Sequence, residues 1–319
     1  SMITEFSNTR QRAFSIGFIA AMWYVGATCA DLVGYWLYDV EGGWRWMLGS
    51  AVIPCILILI GRFDLPESPR WLLRKGRVKE CEAMMIKLFG EPVVFDEEAP
   101  QETRFLQLFN RRHFPFVLFV AAIWTCQVIP MFAIYTFGPQ IVGLLGLGAG
   151  KSAALGNVVI SLCFMLGCIP PMFWLNSAGR RPLLIGSFIM MTLALAVLGL
   201  IPDMGAWLVV LAFAVYAFFS GGPGNLQWLY PNELFPTDIR ASAVGVIMSL
   251  SRIGTIVSTW ALPVFITKYG ISNVMLMGAG ISLIGLLVSI AFAPETRGLT
   301  LAQTSQMTIR SKPVTRAGY

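Results

Sequence analysis

The chain has 319 residues, of which 56% are hydrophobic and only 13% are charged. Soluble domains carry about 25% charged residues, so this composition excludes a water-soluble globular protein and requires lipid around the chain. The net charge of +6 does not indicate nucleic-acid binding. The basic residues lie mostly in alternate connections between apolar segments. This pattern indicates how a membrane protein is oriented in the bilayer.

Eight apolar segments are long enough to cross a bilayer, for which a helix needs roughly 17 to 25 residues. Lipid offers no hydrogen-bond partner to an open backbone, so each segment is predicted to be a helix. The fold class predicted is therefore an all-α membrane protein. The predicted spans are approximately 13–38, 45–61, 114–137, 152–175, 182–201, 206–230, 242–267 and 272–293.

The basic residues predict the orientation of these spans, because Lys and Arg are retained on the cytoplasmic side. All but four of the 23 Lys and Arg residues fall in one set of alternate connections. The exceptions are Arg45, Lys151 and Lys268 on the other side, and Arg252 inside a span. The long loop 62–113 and the C-terminal tail are thus predicted to be cytoplasmic.

Two charged strings occur twice at the same separation, which indicates an internal repeat. Glutamate precedes arginine by seven residues in "ITEFSNTRQRA" and in "PNELFPTDIRA", and glutamate follows proline in "PESPR" and in "PETRG". Glu5 and Glu233 are 228 residues apart, and so are Glu67 and Glu295. The shared offset predicts two halves in parallel orientation. Four spans precede Glu233 and none precedes Glu5, so we expect eight helices of a twelve-helix bundle; the alternative is a complete eight-helix protein.

The repeat divides the chain into four regions. Residues 1–61 are predicted to be the remnant of a first six-helix half, and 62–113 a cytoplasmic helical loop. Residues 114–293 form the second six-helix half, and 294–319 a cytoplasmic tail. Within the loop, "VKECEAMMIKLFG" predicts an amphipathic helix that Gly90 ends. Its apolar face is predicted to hold Val78, Cys81, Met85 and Leu88.

The charged strings are predicted to be a cytoplasmic gate, in which acidic and basic side chains pair across the halves when this side closes. Half-exposed ion pairs contribute only about 0.2–1 kcal/mol each, which suits a reversible contact. The positive-inside bias alone would explain the arginines, but not the glutamates. The predicted gating charges are Glu5, Arg12, Glu67, Arg70, Arg180, Arg181, Glu233, Arg240, Glu295 and Arg297.

The strings "PESPRWLL", "NSAGRRPLL", "ELFPTDIRASAVG" and "PETRGLTL" resemble the signatures of the major facilitator superfamily, in its sugar-porter and metabolite-transporter branch. The resemblance implies that the spans are the fifth to twelfth helices of that fold. It also implies alternating access, in which two bundles rock around a central site. The first span is then expected to contact the fourth span through small residues. These are Gly17, Ala21, Ala27, Ala30 and Gly34.

The resemblance further implies a substrate site on the third span. Gln127 matches the second glutamine of the family's sugar-contacting pair. Cys126, Phe132, Thr136 and Phe137 stand where the family has the first glutamine, an asparagine and two tyrosines. These lost polar groups weaken the prediction of a hexose, because sugar hydroxyls need many partners. The alternative is that Gln127 joins two helices.

A second part of the site is predicted in the sixth span. The string "SGGPGNLQW" is expected to break the helix at membrane depth, which lipid tolerates beside a water-filled cavity. Trp228 matches the family's tryptophan, and Asn225 and Gln227 stand where its frame has prolines. All three are predicted to contact substrate. Alternatively, Trp228 is an interfacial anchor.

Two charged residues lie clearly inside spans. A charge at the helix centre costs at least about 2.5–3.5 kcal/mol, so Arg252 is predicted to face the cavity. There it would bind an anionic substrate or pair with a carboxylate, for which Asp31 in the first span is the candidate. Asp31 is alternatively a proton relay.

These features predict a secondary active transporter of a small polar metabolite, namely a sugar, sugar acid or organic acid, with protons as the coupling ion. The alternatives are a facilitative uniporter and a non-transporting solute receptor. An enzyme is not predicted, because His113 is the only histidine and no metal-spaced cluster or nucleotide-binding loop occurs. No cofactor or nucleic-acid partner is expected. The predicted protein is a monomer in a bacterial inner membrane or plasma membrane.

Overall fold

The structure is a computed structural model that describes residues 12–63, 67, 72, 77–89, 105–143, 150–201 and 205–296. Described residues with regular structure are helical, and none of them lies in a strand. The helices are α1 Arg12–Trp36, α2 Gly43–Ser50, α3 Val52–Arg62, α4 Val78–Phe89, α5 Phe114–Val142, α6 Lys151–Gly167, α7 Ile169–Ala178, α8 Arg180–Leu200, α9 Ala206–Leu234 and α10 Thr237–Phe292. A short 3₁₀ helix, Phe105–Phe109, precedes α5.

All eight predicted spans lie in these helices, which confirms the predicted fold class. Helices α2 and α3 together form the second span, and α6 and α7 form the fourth. The seventh and eighth spans both lie in α10, which is long enough to cross a membrane twice. The chain turns at Gly270, whose φ of 79° and ψ of 163° favour glycine because residues with a side chain rarely adopt this backbone conformation.

The core of the described bundle lies around α5, which packs against α6, α9 and α10. Large side chains such as Trp124, Phe164 and Phe188 are fully buried between these helices. In contrast, α2 and α3 expose nearly all of their apolar side chains, including Trp46 and Ile58. Apolar side chains on the outside of a bundle suit a lipid surrounding.

The prediction that α1 contacts the fourth span is confirmed. Gly17 meets α7 so closely that a Cβ there would lie 2.9 Å from Cγ of Met172. The Thr28 hydroxyl donates a hydrogen bond to the carbonyl of Ser161 on α6, at 3.1 Å. Not all the small residues take part, since Ala30 is exposed. Close approach and a polar link therefore hold α1 against α6 and α7.

The prediction that "SGGPGNLQW" breaks a helix is wrong, because α9 is continuous through 220–228. Its glycines instead allow neighbouring helices to approach. A Cβ on Gly221 would lie 2.2 Å from the carbonyl oxygen of Gly167, and a Cβ on Gly222 would lie 2.2 Å from Oγ of Ser187. Glycine is needed here for backbone contact between α9 and its neighbours, and not for flexibility.

Replacing Gly221 by alanine is expected to destabilise the bundle by about 1–3 kcal/mol, because the clash is with backbone that no rotamer change relieves. The measurement is the free energy of unfolding in mixed micelles titrated with sodium dodecyl sulfate. Gly186→Ala is the matched control, since nothing lies within 4 Å of its added Cβ. Equal stability of the two variants would contradict the packing role of Gly221.

The predicted cytoplasmic helix is present as α4. Cys81 is buried together with Leu72, whereas Val78 is exposed, so Val78 does not share the buried face. The Arg77 side chain donates to Glu80 at 2.8 Å, and this hydrogen bond lowers the pKa of the Glu80 carboxyl group. Gly90 and the side chains at 85 and 88 lie outside the described residues.

Candidate substrate pathway

Gln127 is fully buried at a junction of three helices. Its Nε2 donates to Oγ of Ser220 on α9 at 3.0 Å and lies 3.3 Å from Sδ of Met131 on its own helix, α5. The hydroxyl of Tyr24 on α1 approaches the same sulfur at 3.7 Å. Oε1 of Gln127 has no hydrogen-bond partner among the described residues. The amide thus joins two helices through its donor and leaves its acceptor unpaired.

Tyr24 is a site residue that the sequence analysis missed. Its hydroxyl lies against α9, where a Cβ on Gly224 would come within 2.7 Å of the phenol oxygen. Its ring stacks on Phe164 of α6, with the ring centroids 5.9 Å apart. It was missed because, from sequence alone, an aromatic residue in an apolar span cannot be told apart from one that faces lipid. The available signal is spacing, because Tyr24 follows Gly17 by seven residues and precedes Thr28 by four, on one helix face.

Two further phenols adjoin this junction. Tyr135 of α5 and Tyr216 of α9 both contact Phe164, at centroid distances of 5.0 and 5.9 Å. Both hydroxyls are buried without a hydrogen-bond partner in the part of the chain that the structure describes. Neither residue was predicted, because only the packing of α5, α6 and α9 brings them together.

The three predicted residues of α9 lie inside the bundle. Nδ2 of Asn225 donates to the Cys168 carbonyl, between α6 and α7, at 3.0 Å. Oδ1 of Asn225 and Oε1 of Gln227 are buried, and within the described ranges neither has a partner. Trp228 packs edge to face against the buried Trp124, with centroids 5.0 Å apart. Trp228 therefore contacts the buried core around α5.

Arg252 lies on α10 with its guanidinium carbon 5.0 Å from the ring centroid of Phe132. A cation over an aromatic face is stabilised by roughly 0.5–2 kcal/mol, more when water is excluded. The predicted pairing with Asp31 is wrong, because the Asp31 carboxylate accepts a hydrogen bond from Ser161 instead. The two intramembrane charges thus have separate surroundings, and Arg252 adjoins the predicted substrate position Phe132.

The predicted gating charges of the second half gather at the start of α8. The Arg180 side chain pairs with Glu233 at 2.8 Å, and both side chains are largely buried, with 8% and 15% of their surfaces exposed. Backbone amides of Arg180 and Arg181 each donate to the Glu295 carboxylate at 3.1 Å. A carboxylate is stabilised at a helix N-terminus. Gly179 makes room for it, since a Cβ there would lie 2.7 Å from Glu295 Oε2.

The other gating charges do not join this cluster within the described residues. Arg240 donates to the Phe235 carbonyl at 3.1 Å, and Glu67 is exposed. The predictions for Glu5, Arg70, Arg297 and the Arg12 side chain lie outside the described residues. The contacts described here link α8, α9 and the segment after α10, whereas pairing across the predicted halves stays a prediction.

The opposite end carries an ion pair that was not predicted. Lys151 at the start of α6 pairs with Asp39, which follows α1, at 2.6 Å, and lies 5.4 Å from the ring centroid of Tyr35. Both charged side chains are about half exposed or more. Such a pair contributes at most about 1 kcal/mol, but it joins the segment after α1 to the start of α6.

Comparison with known proteins identifies the family. The family model described as "Sugar (and other) transporter" matches residues 1–308. The chain belongs to this family. It is 90% identical over 312 residues to the "Putative metabolite transport protein YaaU" of Escherichia coli K12, covering 98% of this chain and 70% of that protein. It is 33% identical over 304 residues to the "Inner membrane metabolite transport protein YgcS" of the same organism, covering 94% of this chain and 67% of that protein.

Solved structures of a xylose transporter share the fold. The proton:xylose symporter XylE bound to 6-bromo-6-deoxy-D-glucose matches with a TM-score of 0.78 at 20% identity, covering 95% of this chain and 68% of that one. A partially occluded, inward-open XylE from E. coli matches with a TM-score of 0.76 at 21% identity, covering 94% and 67%. The predicted resemblance to the major facilitator superfamily is confirmed. The chain is a multi-pass sugar or metabolite transporter of a bacterial inner membrane, and not an enzyme.

Proposed function

We propose that the protein is a proton-coupled secondary transporter that carries a small polar metabolite by alternating access, and that this metabolite is a sugar acid. The observation that supports this substrate class is the set of unpaired buried amide oxygens on Gln127, Asn225 and Gln227. Leaving a buried acceptor unpaired costs about 1–3 kcal/mol, which a solute hydroxyl would recover by donating to it. Acceptors of this kind favour a polyhydroxylated solute.

Arg252 supports the acidic part of the proposal. It adjoins Phe132, which stands five residues after Gln127 on α5. Arginine binds carboxylates through two parallel hydrogen bonds. A hydroxylated carboxylate would use both the amide oxygens and the guanidinium, whereas a neutral sugar would leave the cation without an anionic partner. Sugar acids therefore fit better than sugars or simple organic acids.

Alternating access is supported by the division into two halves around the loop 62–113. Tyr24 of the first half reaches between α5 and α9 of the second half, beside Gln127. Rocking of the halves would change these contacts and expose the site to each side in turn. Proton coupling has support from the name of XylE, a proton:xylose symporter of the same fold.

The test uses the purified full-length protein in proteoliposomes, with labelled D-glucuronate, D-xylose and succinate as probes. We expect an inside-alkaline pH gradient to drive accumulation of D-glucuronate and a protonophore to abolish it. Equilibration without accumulation would instead indicate a uniporter, and binding without uptake a receptor. Preference for D-xylose or succinate would contradict the sugar-acid assignment.

Gln127→Ala is expected to lower uptake of D-glucuronate about tenfold, which corresponds to the loss of about 1.4 kcal/mol of binding. Gln140→Ala is the matched control, because Gln140 is an exposed glutamine on the same helix. Uptake is compared at equal amounts of inserted protein. If both variants transport alike, Gln127 only links α5 to α9.

A further inference from the structure

The side chain of Met131 accepts hydrogen bonds from two different helices. The Tyr24 hydroxyl of α1 donates to its Sδ at 3.7 Å, and Nε2 of Gln127, one turn earlier on α5, donates to it at 3.3 Å. Met131, Tyr24 and Gln127 are all buried, with 4%, 3% and 0% of their surfaces exposed. A thioether sulfur is a weak acceptor. Two polar donors of the candidate site are therefore satisfied only weakly.

The two donors are held in place, whereas the acceptor can move. The Tyr24 ring stacks on Phe164 with the centroids 5.9 Å apart, and its hydroxyl lies where a Cβ on Gly224 would come within 2.7 Å of it. Gln127 also donates to Oγ of Ser220 at 3.0 Å, which holds its amide group against α9. Methionine is unbranched and has three rotatable side-chain bonds, so it can leave this position by a change of rotamer. The donors then stay in place for another acceptor.

We propose that Met131 determines solute specificity, by holding the donors of Tyr24 and Gln127 until oxygen atoms of the solute replace its sulfur. The inference rests on the transport function proposed above and deepens it, because it assigns these two donors to hydroxyl or carboxylate oxygens of the solute. Oxygen is the stronger acceptor, so the exchange favours binding. Oε1 of Gln127, which has no partner among the described residues, accepts in return from a solute hydroxyl. A solute that presents no oxygen to the two donors leaves the sulfur contact intact and binds less tightly.

The exchange has a measurable consequence for affinity. Buried donors without an acceptor are unfavourable, so the Met131 sulfur stabilises the protein before solute binds. A solute has to break both contacts to the sulfur, which offsets part of the gain from its new hydrogen bonds. Leucine has a volume similar to that of methionine but offers no acceptor. In Met131→Leu the donors therefore have no partner to give up, and the solute binds with the whole gain. If Met131 only filled space, the leucine variant would bind like the unaltered protein.

The sulfur contact is tested first without any solute. Methionine methyl groups of the full-length protein in lipid nanodiscs are labelled with carbon-13, and the nuclear magnetic resonance signal of Met131 is identified by its absence from Met131→Leu. Tyr24→Phe removes the hydroxyl and keeps the ring, so we expect it to shift this signal. Tyr230→Phe is the matched control, because its hydroxyl donates to the Pro294 carbonyl at 3.1 Å and not to Met131. An unchanged Met131 signal in Tyr24→Phe would overturn the proposal.

The exchange is tested by equilibrium binding of D-glucuronate to the full-length protein in the same nanodiscs. We expect Met131→Leu to bind about threefold to tenfold more tightly and Tyr24→Phe to bind about threefold to tenfold more weakly. Tyr24→Phe should weaken binding by a larger factor in the Met131→Leu background, because the two side chains are coupled. Met191→Leu is the control for packing, since Met191 is fully buried on α8 and no described donor contacts its sulfur. Its affinity should equal that of the unaltered protein.

The outcomes separate this inference from the transport proposal. Equal affinity of Met131→Leu and the unaltered protein would overturn the inference and show that Met131 only fills space. Weaker binding by Met131→Leu would also overturn it, and would show that the sulfur positions the donors for the solute. If the unaltered protein binds D-xylose in place of D-glucuronate, the sugar-acid assignment fails, whereas tighter binding of D-xylose by Met131→Leu would still support the exchange. If it binds neither solute, the transport proposal fails, and the methyl signal of Tyr24→Phe still decides whether the sulfur holds the hydroxyl.

Discussion

Arg252→Ala is expected to lower accumulation of labelled D-glucuronate by about tenfold to a hundredfold, with little change in the amount of inserted protein. Hydrogen bonds to charged groups contribute about 1.5–3 kcal/mol each, and the half-buried position above Phe132 limits screening by water. Arg252→Lys should be intermediate, because lysine keeps the charge but lacks the planar fork. The measurement is initial uptake in proteoliposomes under a fixed pH gradient.

Two comparisons separate binding from structure in this experiment. Lys268→Ala removes an exposed cation from the same helix and should leave uptake unchanged. D-xylose carries no charge, so any residual uptake of it should be insensitive to Arg252. A loss that is equal for D-xylose and D-glucuronate would assign Arg252 a packing role on Phe132. Unchanged uptake of D-glucuronate would show that the Arg252 guanidinium does not bind the solute.

The spans could be predicted from sequence because a bilayer imposes a length and a polarity on every crossing helix. Glycine-rich strings are harder to interpret, because the same composition serves either a broken helix or a close helix contact. In α9 the choice depends on Gly167 and Ser187, which are distant in sequence and lie where a Cβ on Gly221 or Gly222 would fall. Only the packed structure supplies that information.

Some residues of the candidate site could also be predicted from the sequence of a single helix, whereas others are recognised only when several helices pack together. Gln127 and Arg252 could be singled out because polar groups at membrane depth are costly. Tyr216 and Ser220 could not, since each is ordinary within its own helix, and for Tyr24 the only signal is its spacing from Gly17 and Thr28. Asp31 shows a second difficulty. An acid suggests an oppositely charged partner, but its actual partner, Ser161, is a neutral residue 130 positions away.

At the end of the bundle that is predicted to be cytoplasmic, the described contacts of Arg180 and Glu233 link several helices. Arg180 begins α8 and Glu233 lies near the end of α9, and their pair is largely shielded from water. Arg180 also donates to the Leu175 carbonyl at 3.0 Å, and Glu233 accepts from the Thr296 hydroxyl. These bonds join α7, α8, α9 and the segment after α10. These contacts therefore hold the adjacent ends of the four segments together.

Arg180→Ala is therefore expected to destabilise the protein by about 3–5 kcal/mol, because it removes one partner of a largely buried ion pair. The measurement is the free energy of unfolding in mixed micelles. Arg77→Ala provides the control: its partner Glu80 is exposed, so its loss should cost less than about 1 kcal/mol. Glu233→Gln in the Arg180→Ala background should restore part of the stability, because it removes a largely buried negative charge. If Arg180→Ala instead leaves stability unchanged and alters only transport, the pair acts as a gate contact and not as part of the scaffold of the second half.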